Sequence, residues 1–303
     1  MYPIRDRVGI LLAALLLASS AGCSRNETDT GQRIFETPEA AAQALVDALE
    51  RDDTDAILGI FGREYENEIV TPDWGAEGEA RERIASAAQE KLEFVEVDDG
   101  VIEIVIGAEE WPFPIRLARY EDAWIFDTGE GIEAMIDRRV GRNELAAIAI
   151  ARAYVDAQID YARVDRDGDK GLEYAQRLAS SAGQRDGLYW EAGPDGEESP
   201  FGPLVKGAER YLETLEPGDP LRGYYFQILT GQGENPPGGR HGYLIHGNMV
   251  AGFGLVAFPA DYGNSGVMTF VVNNRGVVHQ KDLGEFTGMD AYDPDDTWTL
   301  VED

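Results

Sequence analysis

Cysteine, histidine and lysine are scarce here: one, three and four respectively in 303 residues. A single thiol excludes intramolecular disulfides, so any core must be held by packing alone. The histidines, His241, His246 and His279, come with neither an HExxH pattern nor a third ligand at zinc spacing. No G-x-S-x-G occurs, and Asn264-Ser265-Gly266 reads as a turn, not a nucleophile elbow. Gly231-Gln232-Gly233-Glu234 lacks the lysine and the strand-to-helix setting of a phosphate loop, and Pro236-Pro237-Gly238-Gly239 behind it says loop. Positive charge is short as well, with 26 basic against 57 acidic residues and a net charge of −31. Such a field repels phosphate backbones and anionic lipid, which excludes nucleic acid as a partner. The acids are spread along the whole chain, so self-repulsion should be relieved, and stability raised, by salt.

Against these absences stand 43% hydrophobic and 10% aromatic residues, enough to build packed cores. The length suggests about two domains of roughly 100 to 200 residues each. The one apolar run, Val8 to Ala18, follows Arg5 and Arg7 and leads through Ser19, Ser20, Ala21 and Gly22 to Cys23. It is shorter than the roughly 20 residues a membrane span needs, so residues 1–22 read as a leader. The ending Ser-Ala-Gly-Cys resembles a bacterial lipoprotein signal, with Ser20 where leucine is usual. That resemblance implies that Cys23 carries lipid and ties the chain to a membrane. Ser24, where an aspartate would signal retention, implies the outer membrane of a Gram-negative bacterium, facing the periplasm or the exterior. Residues 23–32 read as a flexible tether.

Residues 33–136 read as an α+β domain. Thr37 and Pro38 start a helix that carries Ala41, Leu45, Val46 and Leu49; a second holds Ile57, Leu58, Ile60 and Phe61; a third runs from about Ala80 to Lys91. Strands follow at Leu92 to Val97, Val101 to Ile106, Pro112 to Tyr120 and Ala123 to Phe126. Helices before a curled antiparallel sheet resemble the cone-shaped nuclear-transport-factor-2-like (NTF2-like) fold. Such cones hold pockets, and Trp74, Trp111 and Trp124 are the candidates to line one, against the plainer reading that they fill the core.

Residues 137–303 read as a second α+β domain. A helix from Gly141 to about Val164 presents Leu145, Ile148, Ala151, Tyr154, Val155 and Tyr161 as one stripe. An acidic loop and Gly- and Pro-rich segments come next. Strands then run at Gly223 to Thr230, Tyr243 to Ile245, Gly252 to Pro259, Gly266 to Val272 and Val277 to Lys281, the last two joined by Asn273-Asn274-Arg275-Gly276. Long helix, acidic loop and late sheet resemble the globular part of type IV pilins and pseudopilins. Ile136 to Gly141 is polar, though, so there is no apolar stem for a filament.

Three stretches carry a wider resemblance: "EEWPFPIRLARYEDAWIFDTGEGIEAMIDRRVGRNELAAIAIARAYVDAQIDYA", "DRDGDKGLEYAQRLASSAGQRDGLYW", and "GYYFQILTGQG" with "AGFGLVAFPADYGNSGVMTFVVNNRGVVHQKDLG". They are similar to the bacterial envelope family called domain of unknown function 2950. The resemblance covers nearly the whole chain after the leader and implies no reaction. Family members usually read Asp-Gly-Asp-Gly where this chain has Gly168-Asp169-Lys170-Gly171.

Two local features invite chemistry. Asp165, Asp167 and Asp169 take alternate places on a tight turn with Glu173 four residues on, the hard-oxygen pattern that Ca²⁺ prefers. Lys170 stands where a calcium loop needs glycine and Gln176 where it needs a bidentate glutamate, so weak Ca²⁺ binding competes with a plain helix-ending turn. No other cofactor is expected. Tyr189, Trp190, Tyr224, Tyr225, Phe226, Phe253, Phe258 and Tyr262 concentrate aromatic surface in the second domain, as core or as a platform for a partner. The reading that follows is a lipid-anchored, non-enzymatic binding or scaffold module for another envelope component. The alternative is a hydrolase of cell-wall or extracellular polymer that uses paired carboxylates.

Overall fold

The computed structural model describes residues 27–166, 170–190, 197–202 and 219–302. Helices and antiparallel sheets alternate as an α+β fold, built around two large apolar cores and a smaller cluster of Leu229, Val256, Val271 and Tyr292. The first is opened by α1 (Pro38–Glu50), where Thr37 accepts the amide of Ala40 and Pro38 takes the first helical turn. A second capped helix, α2 (Thr54–Phe61), starts from the Asp53 carboxylate. After a short α3 (Glu66–Ile69), α4 (Gly78–Glu90) lies against α1 with Ala85 and Ala88 buried.

The first sheet comprises β1 (Leu92–Asp98), β2 (Val101–Ile106), β3 (Trp111–Pro112), β4 (Leu117–Tyr120) and β5 (Ala123–Phe126), in the order β1-β2-β4-β5 with β3 paired to the end of β2. The single strand expected from Pro112 to Tyr120 is therefore two. Pro112 and Pro114 lack the amide protons a continuous ladder requires, and the chain bends so that Phe113 and Ile115 turn inward. Phe35, Phe61, Phe113 and Phe126 meet edge-on or stacked at centroid distances of 5.2 to 6.4 Å and fill the space between helices and sheet.

One helix, α5 (Thr128–Tyr161), leaves this first lobe and becomes the spine of the second. Its 34 residues span about 51 Å at 1.5 Å each. The expected start at Gly141 is thirteen residues late. The true cap is Asp127, whose carboxylate accepts the Glu130 amide, and the polar stretch from Ile136 to Asn143 is helix. Leu145, expected on the packed stripe, is 70% exposed, because the face that meets the second lobe there carries Asn143 and Ala147 instead.

The second sheet packs on the C-terminal half of α5. Its strands are β6 (Tyr224–Leu229), then, after the small ribbons β7 (Gly231–Gln232) with β8 (His241–Gly242) and β9 (Leu244–Ile245) with β10 (Asn248–Met249), β11 (Gly254–Pro259), β12 (Met268–Asn273), β13 (His279–Asp282) and β14 (Thr299–Leu300). The order is β14-β13-β12-β11-β6, which leaves β6 at an edge. Tyr154 sits fully buried under this sheet, its hydroxyl donating to the Gly254 carbonyl and accepting from Gln158 Nε2, each at 3.0 Å. Burial pushes that phenol well above its ordinary value, which suits a hydroxyl kept as a neutral donor.

Candidate functional site

Alongside β6 runs a cavity of about 660 Å³. Tyr225, Phe226, Gln227 and Ile228, four consecutive residues of the strand, form one wall; Leu178 to Ala182 form the other; Ile150 of α5, Tyr189, Phe201 and Leu221 complete the apolar lining. The polar residues of the lining, besides Gln227, are Gln176, Arg177, Ser180, Ser181 and Asp219. The Leu178–Ser180 wall is held from behind, since Ser180 donates to the Tyr189 carbonyl and Tyr189 to that of Leu178, both at 2.8 Å. A mostly apolar cleft with a few polar groups in its lining is the common form of a binding site.

A second cavity of about 520 Å³ adjoins it through Gln176 and Arg177. Arg166, Arg177 and Arg185 line it together with Glu173 and Asp186. Arg166 is nine-tenths buried, lies 5.0 Å from the Tyr161 ring and 4.9 Å from that of Trp190, and pairs with Glu197 at 3.0 Å. Arg185 pairs with the same Glu197 carboxylate, and Arg177 Nε lies 3.9 Å from Asp186. The guanidiniums are thus matched by carboxylates, and the cavity is a mixed-charge extension of the groove.

What positions the groove is the junction between the lobes. Gly223, the residue before β6, donates its amide to Asp73 Oδ2 of the first lobe at 2.7 Å, while its carbonyl accepts Ser265 Oγ at 2.8 Å and the Ala260 amide at 2.9 Å. Asn143 of α5 donates to the Ser265 carbonyl at 3.0 Å. Arg139 donates to the Glu68 carbonyl at 2.7 Å and to Asn264 Oδ1, and Asn264 Nδ2 reaches the Asn67 carbonyl at 2.9 Å. Asp73, Arg139, Asn143 and Ser265 are all buried. Burial lifts the Glu77 carboxyl above its ordinary value, and Asp73 beside it adds to the rise, against the opposing pull of Arg142 at 3.5 Å and of Arg139 and Arg81. The same burial depresses the Arg139 guanidinium, which Glu77 partly offsets.

Residues 32–301 match the family described as "Protein of unknown function (DUF2950)". The chain belongs to that DUF2950 family. No curated protein and no solved structure matches it. The DUF2950 match begins at Gln32, whose buried side chain ties Ile60 to Phe126 through their carbonyls, and ends at Val301, whose amide reaches the Val278 carbonyl. It thus takes in both lobes, the junction and the groove.

Within the DUF2950 fold the three tryptophans do not converge. Trp111 on β3 pairs with Ile106 at one end of β2, whereas Trp124 on β5 pairs with Arg119, whose amide bonds Gly100 beyond the other end. Five strand steps, about 17 Å, separate those ends. Trp74 lies in the turn before α4, with its indole N–H donated to Thr54 Oγ1 at 2.9 Å and the Arg81 guanidinium 3.9 Å above its ring. Neither cavity is lined by any of them. Of the acidic loop, Asp167 and Asp169 lie outside the described residues, as does Cys23. Asp165 accepts the Lys170 amide at 3.0 Å, closing the turn after α5, and Glu173 lines the second cavity. Among the described residues, no group of three or more metal-binding side chains is gathered. Of the eight aromatics singled out in the second domain, Tyr189, Tyr225 and Phe226 reach the groove, whereas Tyr224 and Phe253 are fully buried. The groove itself escapes a reading of the sequence, because only the strand order makes β6 an edge; a run of uncharged β-formers, Tyr224 to Leu229, is the signal that marks it.

Proposed function

We propose that this protein is a lipid-anchored binding module of the bacterial envelope, held to the outer membrane through Cys23, with the groove beside β6 as its ligand site. The observation that carries this reading is the groove: a large, mostly apolar cleft of aromatic and aliphatic side chains, built on a strand and a helix, with Arg177 and Asp219 as its charged lining residues. Its aromatic walls suit a protein partner, since Tyr189, Tyr225 and Phe226 offer broad, rigid contact area. The paired-carboxylate alternative draws no support from Asp73 and Glu77, the carboxylates brought together at the junction, because Asp73 is spent on the Gly223 amide and Glu77 faces Arg142. The anchor rests on the leader pattern that ends at Cys23.

Photo-crosslinking in cells tests the site. A benzophenone side chain placed at Tyr225 or Tyr189 should give a discrete adduct that the same group at exposed Leu145 does not. Adducts equal at all three positions, or at none, refute the groove. A Cys23→Ser chain should leave the membrane fraction, and its retention there refutes the anchor.

A further inference from the structure

We infer that the groove is a strand-addition site: an extended peptide lies along β6 and pairs with the backbone of Phe226 and Ile228. This rests on the groove being the ligand site and says what kind of ligand it takes.

The pattern of backbone bonds leads there. In β6, Tyr224 stands opposite Pro259 of β11. Proline has no amide proton, so these two cannot exchange the pair of bonds that marks every second position of an antiparallel ladder. The alternation then aims the N–H and C=O of Tyr225, Gln227 and Leu229 at β11, and those of Tyr224, Phe226 and Ile228 outward. Two observed contacts agree. Tyr224 exchanges bonds of 2.7 and 3.1 Å with Leu221, and the Thr230 carbonyl accepts the Tyr243 amide at 2.7 Å, both on the outer side.

The outer edge is therefore closed at Tyr224 and at Thr230 and open between them. At Phe226 and Ile228, two N–H donors and two carbonyl acceptors face the groove, with no partner among the described residues. They are two residues apart, about 6.8 Å, which is the spacing at which another strand offers its own groups. Phe226 and Ile228 pack their side chains on the α5 side, while Tyr225 faces Phe258 at 5.5 Å and Gln227 donates to the Met289 carbonyl on the opposite side. Alternate side chains of an added strand would fall on those same two faces. The first is apolar, with Leu178 and Ile150 lining it, so the occupant carries apolar residues at every second position. With a net charge of −31 on the chain, a strongly acidic peptide is disfavoured. A compact ligand could fill the volume but could not satisfy four ladder groups in register. An uncharged edge reading Tyr-Tyr-Phe-Gln-Ile-Leu is also an aggregation hazard if left bare, which folded proteins avoid by covering it.

The test uses the full-length protein, amide hydrogen exchange read by NMR, and a phage-displayed decapeptide library as the probe. Without peptide, the Phe226 and Ile228 amides should exchange fast. A selected peptide should protect both, and N-methylation of its alternate, β6-facing amides should weaken binding at least tenfold while methylation of the intervening ones does not. Slow exchange at both amides without peptide overturns the inference, because the edge is then already paired within the chain or with a second copy. A peptide whose binding falls in Tyr225→Ala but ignores backbone methylation overturns strand pairing and leaves the groove as the site. Failure of every peptide, with groove-specific crosslinks still seen in cells, overturns the peptide class alone; loss of those crosslinks as well brings down the binding function with it.

Discussion

Gly223 is where the two lobes, the start of β6 and the groove wall depend on one residue, and its replacement by alanine tests that arrangement. Its φ of +77° lies in the left-handed region, where an L side chain costs about 1–2 kcal/mol. A Cβ built there would overlap Asn143 Nδ2 and come within 3.1 Å of Ser265 Cβ. Asn143 is 2% exposed, and its amide is held by the Ser265 carbonyl, so making room breaks a buried hydrogen bond at about 1–3 kcal/mol. The two contributions together predict a loss of about 2–5 kcal/mol. In a chain of this size, that lowers the melting temperature by about 2–4 °C for each kcal/mol. Urea unfolding of Gly223→Ala, alone and in an Asn143→Ala background, separates them. In the second background the overlap is gone, so the added cost of Gly223→Ala should shrink to the backbone share. A stability within about 0.5 kcal/mol of the parent, or a cost unchanged by Asn143→Ala, would refute the reasoning.

Three further outcomes are expected. Tyr154→Phe removes the hydroxyl's bond to the Gly254 carbonyl and takes an acceptor from the buried Gln158 amide under the second sheet, and should cost about 1–3 kcal/mol by urea unfolding; a neutral result would mean the hydroxyl is dispensable. Glu77, whose carboxyl is raised in the fold by burial, contributes stability that is fully present below its ordinary value of 4.5 and is lost as the pH climbs through the raised one. Relative to the parent, Glu77→Gln should therefore gain stability between acid and neutral pH, and parallel stability profiles would contradict the shift. With a net charge of −31, the melting temperature should rise from low to molar NaCl, and a flat response would show that self-repulsion is negligible.

Helix starts were legible where the signal is local. Thr37 caps α1 with Pro38 in its first turn, as their side-chain chemistry dictates, and Gly276 takes its positive φ in the hairpin after Asn273. The start of α5 was not legible, because Asp127 is an ordinary aspartate until the chain around it is folded, and the polar run from Ile136 to Asn143 resembles a linker. Those polar residues are buried by partners far off in sequence: Arg139 by Glu68 and Asn264, Asn143 by Ser265. Asn264-Ser265-Gly266 is the turn its residues imply, and the structure adds that it clasps the other lobe.

Composition and periodicity by themselves determined the α+β class, the lack of an intramolecular disulfide framework and the strong excess of negative charge, since each depends on residue type or on neighbours a few positions apart. Only the tertiary structure decided that Leu145 faces water, that Trp111 and Trp124 lie at opposite ends of a sheet, and that β6 ends its sheet with Phe226 and Ile228 open to a groove. Those facts turn on which strand lies beside which, and contacts between residues tens of positions apart leave no period in the sequence.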